Sequence, residues 1–243
     1  MTAQILSFDQ AGRHNGDLSA GINRIIQGAT WKKARVVVLI PAAGMIPAKV
    51  YMSHAILQFP RNQQVSRMLC LGDEVGEAYS NAVEHVLKDP VLSDWEYILT
   101  LEHDNTPPVD GVLRLIARMD AHPEFAAISG LYWEKGEDGV PHCWGDINDP
   151  EINFRPQPPP EAGEIREYCG TSMGFTLWRL STFKDPRFSR PFFQTTIKAD
   201  QYEADIASQD LWFWREARKL GYRCAVDANV LVGHYDHVND ICW

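Results

Sequence analysis

The chain has 243 residues, of which 45% are hydrophobic, and its formal net charge at pH 7 is −9. This length and composition are enough for one sizeable hydrophobic core. The acidic balance, with no lysine- or arginine-rich run, disfavours nucleic acid and membrane surfaces as partners but does not exclude a local basic patch.

Residues 1–33 are interpreted as an N-terminal extension, in which residues 18–26 can form a short amphipathic helix. The first residues lack the basic region and long apolar core of a secretory signal. No apolar run approaches the roughly 20 residues that cross a bilayer, so no integral membrane segment is expected. The five cysteines are widely spaced and form no Cys-x-x-Cys pair, which predicts reduced thiols in a cytoplasmic protein.

Residues 34–131 alternate between predicted strands and helices. The opening strand, at residues 35–41, is a β-branched run without alternation, which is typical of a strand covered on both faces. Further strands are predicted at residues 65–71, 97–101 and 125–131, and helices at residues 49–57, 75–87 and 111–119. The pattern predicts an α/β fold with a mostly parallel sheet flanked by helices.

Residues 132–243 break this rhythm. Residues 134–164 are rich in glycine, proline and acids and predict a long excursion that is either mobile or faces an acceptor. Beyond them we expect a strand at residues 167–177 that is interrupted by Gly170 and Gly174, a helix at 210–220 and short strands at 223–226 and 229–232. The tail at residues 238–243 is interpreted as a lid over a bound ligand.

The predicted strand at residues 97–101 runs directly into Glu102, His103 and Asp104. Carboxylates at the end of a buried strand are costly unless they are solvated, paired or bound to a cation. Side chains at positions i and i+2 of an extended chain point the same way, so Glu102 and Asp104 can serve one cation. Oxygen ligands of this kind suit Mg²⁺ or Mn²⁺. The alternative is a solvated turn ahead of Pro107.

Asp210 lies in the first turn of the predicted helix at residues 210–220, where the helix dipole favours an ionised carboxylate. Such a group can act as a general base on a sugar or alcohol hydroxyl. The alternative interpretation is helix capping, in which Ser208 or Asp210 only satisfies backbone N–H groups.

His234 follows a short predicted strand and a glycine, which places its imidazole near the edge of the sheet. There it can complete a metal site with the acids at positions 102 and 104. The alternatives are a structural histidine, or a metal-binding role for the neighbouring Asp236 or His237.

Gly170 and Gly174 can let the backbone approach a ligand closely, and a bulged strand is an equal alternative. Tyr132, Trp133 and Trp144 flank the long excursion. Their flat faces suit sugar rings and equally suit core packing.

In this order and spacing, the constellations resemble the GT-A nucleotide-sugar glycosyltransferases, in particular the family 2-like group. The resemblance extends over residues 35–236 and implies a Rossmann-like sheet with a small antiparallel annex. It also implies one catalytic domain at residues 34–243. Residues 34–131 would be its nucleotide-binding half, and residues 132–243 its acceptor-side half with the lid.

The resemblance implies roles for individual residues. The loop after the first strand would hold the nucleobase, and the helix carrying Asn81 would lie under the nucleotide, although Ser80 stands where the family has arginine. The residues implied to contact the nucleotide sugar are Pro41, Ala42, Ala43, Asn81, Glu102, His103, Gly170 and Thr171. The implied metal ligands are Asp104, His234 and Glu102, and the implied catalytic base is Asp210.

The implied activity is transfer of a sugar from a nucleoside-diphosphate sugar, with a UDP-sugar favoured, to an acceptor hydroxyl, with Mn²⁺ or Mg²⁺ as cofactor. With Asp210 as base, a single displacement would invert the anomeric centre. A retaining glycosyltransferase, a nucleotidyltransferase and a non-catalytic nucleotide-sugar-binding module remain alternatives. The acceptor stays open between a saccharide, a lipid-linked sugar, a small molecule, a protein and a modified nucleobase.

Overall fold

The computed structural model describes residues 33–61, 63–199 and 204–243. The predicted amphipathic helix at residues 18–26, and nearly all of the predicted extension, lie outside the described residues. All five cysteines lie within them and are free thiols. No helix in the described ranges combines the length and the apolar character needed to cross a membrane.

The elements of the described ranges alternate as expected in the first half of the chain. The helices are α1 Ala48–Ala55, α2 Val75–Lys88, α3 Gly111–Ala121, α4 Leu180–Phe183 and α5 Gln209–Lys219, with a 3-10 turn at Leu92–Asp94. The strands are β1 Val36–Ala42, β2 Val65–Leu71, β3 Tyr97–Leu101, β4 Asn105–Thr106, β5 Ala127–Leu131, β6 Cys143–Trp144, β7 Ile165–Tyr168, β8 Gly170–Thr171, β9 Phe175–Arg179, β10 Thr196–Ala199, β11 Ala204–Ala207, β12 Cys224–Leu231, β13 Gly233–Asp236 and β14 Ile241–Cys242.

The main sheet has seven strands in the order β2-β1-β3-β9-β5-β12-β7. Strands β2, β1, β3, β5 and β12 run parallel to one another, whereas β9 and β7 are antiparallel to their neighbours. Smaller antiparallel sheets are formed by β6 with β8, β10 with β11, and β14-β13-β4. The predicted fold class, a mostly parallel sheet with a small antiparallel annex, is therefore confirmed.

The predicted single strand at residues 167–177 is wrong. Residues 165–179 instead form β7, β8 and β9, which belong to two different sheets. The breaks lie at Cys169 and at residues 172–174, at or beside Gly170 and Gly174, the two predicted interruptions. The two final strands predicted at 223–226 and 229–232 are one strand, β12, whose register shifts between Asp227 and Leu231. The buried Asp227 carboxylate accepts the backbone N–H of Asn229, which stabilises this irregular stretch.

Successive side chains of β1 pack on opposite faces of the sheet, as the period of a strand requires. Val38 and Ile40 contact the side of the core that includes α3. Val37 and Leu39 contact the other side, which includes α2 and α5. Because both faces are covered, β1 is buried along its whole length. This explains why its sequence is an unbroken apolar run.

The order of the strands creates a ligand-binding position. Strand β1 pairs with β2 on one side and with β3 on the other, so the order in which strands are added to the sheet reverses at β1. In open α/β sheets, ligands bind outside the carboxyl ends of the strands at such a switch point. The residues that follow β1 and β3 are therefore placed side by side where a ligand is expected.

Candidate functional site

A cavity of about 390 Å³ opens at the carboxyl ends of β1 and β3. Its lining residues are Pro41, Ala42, Ala43, Asp73, Val75, Glu102, His103, Asp104 and Gln209. Six of the residues assigned to the site from sequence lie among them. The two loops that contribute these six residues are far apart in the chain, and the parallel pairing of β1 with β3 brings them together.

The carboxylate of Asp104 contacts the side chains of Lys135 and His234. Its Oδ2 accepts a hydrogen bond from Lys135 Nζ at 2.6 Å, and His234 Nε2 lies 3.4 Å from the same oxygen. Burial alone would raise the pKa of Asp104, but the contacts with His234 and Lys135 outweigh burial and hold the pKa well below its usual range. Asp104 is therefore ionised at neutral pH.

His234 reaches Asp104 because β13 pairs with β4, so that His234 lies opposite Asn105. Its Nδ1 lies 2.8 Å from the carbonyl oxygen of Trp133. A carbonyl oxygen only accepts, so Nδ1 carries a proton, and Nε2 is the ring nitrogen that faces Asp104 Oδ2. A proton or a metal cation between Nε2 and Oδ2 can join the two groups. A backbone carbonyl that orients the second ring nitrogen is also typical of metal-ligating histidines.

The neighbouring candidates for the role of His234 point elsewhere. The carboxylate of Asp236 accepts the backbone N–H groups of Val238 and Asn239, and so forms the turn that leads to β14. His237 is exposed. The backbone of His234 pairs with that of Trp243, so the tail predicted to be a lid lies against β13.

The Asp104–His234 pair fits a divalent cation that shares its coordination with a ligand. The described part of the chain contains no group of three or more histidine, cysteine, aspartate or glutamate side chains arranged for a metal. One ion bonded to both side chains at about 2.0–2.2 Å can span a separation of 3.4 Å. Mg²⁺ is often bound by one or two protein groups, with substrate phosphates and water completing its shell.

Glu102 lines the same cavity in a different protonation state. Burial, reinforced by the negative charges of Asp104 and Asp210, raises the pKa of Glu102 to about 8. At neutral pH, and without a bound cation, this carboxyl is largely protonated and can donate a hydrogen bond. The negative charges of Asp104 and Asp210 both raise the pKa of Glu102. Asp104, a candidate metal ligand, and Asp210, the candidate base, therefore both lie within electrostatic range of Glu102.

The raised pKa of Glu102 predicts a pH-dependent stability in EDTA. Folded Glu102 holds its proton up to about pH 8, whereas unfolded glutamate loses it near 4.5. The folded state therefore binds more protons between these values, and Glu102 makes the free energy of unfolding fall as pH rises, by at most about 1.4 kcal/mol per pH unit.

Urea denaturation near pH 5 and near pH 8 tests this expectation. Glu102→Gln removes the titrating group, so the variant should lose less stability than the wild type between the two pH values. Equal losses in the two proteins would show that Glu102 titrates normally.

Asp210 is 6% exposed and lies in the first turn of α5. Its Oδ1 accepts hydrogen bonds from Leu211 N at 2.9 Å and from Ser208 Oγ. Burial raises the pKa of Asp210, and hydrogen bonds from Ser208, Leu211 and Ser172 partly offset that effect. A raised pKa makes a carboxylate a better proton acceptor near neutral pH. The Ser208 side chain makes no capping bond, which weakens the interpretation of Ser208 as a simple helix cap.

Ser172 links Asp210 to side chains of the long excursion. Its Oγ accepts a hydrogen bond from Trp144 Nε1 at 3.1 Å and bonds with His142 Nδ1. His142 stacks on Tyr132 with ring centroids 4.3 Å apart, and burial lowers its pKa to about 3. His142 Nε2 is buried and has no hydrogen-bond partner among the described residues. Sequence reasoning missed His142, since nothing in a lone histidine beside Pro141 signals this contact.

The cavity also contains residues that sequence reasoning missed. Asp73 and Gln209 line it from the amino ends of α2 and α5. The predicted Asn81 is exposed, and its Nδ2 lies 3.4 Å from Asp73 Oδ2. Ser80 turns inward and exchanges two 3.0 Å hydrogen bonds with the backbone of Phe193. An acidic residue between a strand and a helix was the signal that could have identified Asp73.

The predicted Gly170 and Thr171 do not line the cavity. A Cβ on Gly170 would lie 3.0 Å from the ring of Phe154, so close packing accounts for this glycine. Gly174 lies nearer to the site, because its carbonyl accepts the backbone N–H of Glu102 at 3.0 Å. A Cβ there would meet two side-chain oxygens at 2.4 and 2.5 Å.

The fold is similar to that of solved structures. One is A197 from STIV, with a TM-score of 0.58, 14% identity, and coverage of 83% of this chain and 86% of that chain. Another is GalNAc-T7, solved with UDP, GalNAc and Mn²⁺, with a TM-score of 0.56 and 11% identity. The chain has a GT-A-like fold. No protein-family profile and no curated protein matches the sequence.

The GT-A-like fold accounts for most of the described chain. The match to GalNAc-T7 covers 83% of this chain but only 44% of that protein, so this chain spans less than half of its length. In the present structure the cavity at the switch point is lined by the acids that follow β3, and the annex β14-β13-β4 brings His234 to Asp104.

Proposed function

We propose that the protein is a metal-dependent glycosyltransferase that moves a sugar from a nucleoside-diphosphate sugar to an acceptor hydroxyl. The observation that carries the proposal is that His234 Nε2 lies 3.4 Å from the Oδ2 of Asp104, which lines the switch-point cavity. Mn²⁺ or Mg²⁺ bound by this pair would neutralise the negative charge that develops on the leaving diphosphate. The fold supports the proposal, because GalNAc-T7 has UDP and Mn²⁺ in its structure.

The lining residues divide between the two ends of a donor. Pro41, Ala42 and Ala43, with Asp73 opposite, suit a nucleobase and its ribose. Asp104 and His234, with Glu102 and His103 beside them, suit the diphosphate and its cation. A protonated Glu102 can donate to a ribose or phosphate oxygen, whereas an ionised one would repel it. We assign residues 34–131 to the nucleotide and residues 132–243 to the acceptor and the lid.

Asp210 is proposed as the general base. It accepts the proton of the acceptor hydroxyl as that oxygen attacks the anomeric carbon, and the nucleoside diphosphate leaves from the opposite side. Ser208, Ser172 and the N–H of Leu211 hold the carboxylate in place. One displacement on one face inverts the anomeric configuration, which NMR analysis of the product would report.

Calorimetric titration with a panel of nucleoside diphosphates, with and without Mn²⁺, tests the proposal. We expect one nucleotide, with UDP favoured, to bind more tightly when Mn²⁺ is present, because a cation held by Asp104 would neutralise the charge of the diphosphate. A panel of donor sugars, scored by released nucleoside diphosphate, then tests for turnover. Absence of binding across both panels would contradict the proposed function.

The same experiments separate the alternatives. Release of pyrophosphate in place of a nucleoside diphosphate would identify a nucleotidyltransferase, and retention of the anomeric configuration a retaining enzyme. Binding without any turnover would identify a nucleotide-sugar-binding module. The buried, hydrogen-bonded Asp210 favours the catalyst over the module, because a decayed site has no need of a desolvated carboxylate.

A further inference from the structure

Lys135 occupies the position that a cation bound to Asp104 would need. Its Nζ lies 2.6 Å from Asp104 Oδ2, and the side chains of this pair are 32% and 18% exposed. The same oxygen faces His234 Nε2 at 3.4 Å. In the described part of the chain, Lys135 is the one lysine or arginine that forms an ion pair with a carboxylate lining this cavity.

Lys135 lies in a turn from which its side chain can move away from Asp104. It follows β5, in a loop closed by the Glu134 N–H bond to the carbonyl of Val140. Gly136, next to it, has a φ of +114° and no neighbour that a Cβ would meet. A lysine is a point charge on a flexible four-carbon stem, so its ammonium can be redirected by rotation of the side chain.

A divalent cation and the ammonium cannot share one carboxylate oxygen without strong repulsion. The cavity also has an excess of acids, with Asp73, Glu102 and Asp104 in its lining. A donor diphosphate that enters brings further negative charge. The displaced ammonium then has new partners nearby, because phosphate oxygens accept charge-assisted hydrogen bonds as carboxylates do.

We propose that Lys135 holds Asp104 while no divalent cation is bound, and that it moves to the donor diphosphate when the cation takes Asp104. The proposal rests on the proposed function of the site. Lys135 opposes binding of the cation alone and favours binding of the cation and the diphosphate together. The two ligands are thereby coupled, and the coupling is reciprocal. Lys135 is thus a positioning residue for the donor.

Calorimetric titration of Mn²⁺ alone, and of UDP at saturating Mn²⁺, tests this exchange in the full-length chain. In Lys135→Met we expect Mn²⁺ alone to bind about 3- to 10-fold more tightly, because its competitor is gone. UDP at saturating Mn²⁺ should bind about 10-fold or more weakly, because a charge-assisted contact is lost. Lys135→Arg keeps the charge and should restore most of the affinity for UDP.

The matched control is Lys88→Met. Lys88 is also ion-paired, 3.4 Å from Glu84, but it lies at the far end of α2 from the cavity. Lys88→Met should change neither the affinity for Mn²⁺ alone nor the affinity for UDP at saturating Mn²⁺. Thermal unfolding should show that all the variants are folded. If Lys135→Met leaves the affinities for Mn²⁺ and UDP unchanged, or weakens both, Lys135 does not exchange between Asp104 and the diphosphate. The proposed function would still stand. If the wild type binds neither Mn²⁺ nor UDP, both proposals fail together.

Discussion

Asp210→Asn is expected to lower kcat about 10²- to 10⁴-fold while leaving the affinity for the nucleotide donor nearly unchanged. Asparagine has almost the same shape, and its Oδ1 can still accept from Leu211 N and Ser208 Oγ. The variant therefore keeps its fold and loses only the capacity to take a proton. Release of nucleoside diphosphate gives kcat, and calorimetry gives the affinity for the donor.

Asp110→Asn is the control for this substitution. Asp110 also lies at the amino end of a helix, α3, but its carboxylate is paired with Arg114 away from the cavity. Its substitution should leave kcat unchanged. The pH profile gives a second readout, because burial raises the pKa of Asp210 and so places the acidic limb of the wild-type profile above that of an exposed aspartate. Near-native turnover by Asp210→Asn would show that another group is the base.

The parts of the fold that were predictable are those in which local sequence and burial agree. Strand β3 has the predicted bounds, because its buried apolar run ends at charged residues. Helix α3 buries Val112, Leu115, Ile116 and Met119, whose spacing in the sequence is that of one helix face. Strand β9 was not predictable, since its position depends on antiparallel pairing with both β3 and β5. Such pairing is set by partners distant in the sequence, which no local period reports.

The same distinction applies to the candidate site. Glu102 and Asp104 were identifiable because an apolar strand leads directly into them. Lys135 and His142 were not, because they come from a segment of mostly irregular structure and reach the site through loop geometry. Ser80 is an instructive case. It stands where the resembled family has arginine, whereas its hydroxyl forms hydrogen bonds with the backbone of Phe193.

Asp104→Asn is expected to weaken binding of Mn²⁺ by at least about 100-fold, because even the outer partners of metal ligands contribute 10- to 100-fold to affinity. The amide keeps the size of the side chain but loses the charge that faces His234 Nε2 and Lys135 Nζ. Turnover that depends on Mn²⁺ should fall at least as far. Calorimetry with Mn²⁺, and nucleotide release across a range of Mn²⁺ concentrations, measure the two effects.

A second measurement on Asp104→Asn tests whether the negative charge of Asp104 is responsible for the expected effect. Asp104 is the largest charged contributor to the raised pKa of Glu102, so Asp104→Asn should bring that pKa down and reduce the loss of stability between about pH 5 and pH 8 in EDTA. Asp94→Asn is the control, because Asp94 also forms an ion pair, with Arg35, but at the opposite end of β3. If Asp104→Asn binds Mn²⁺ as well as Asp94→Asn does, the cation is held elsewhere, and the assignment of the Asp104–His234 pair is wrong.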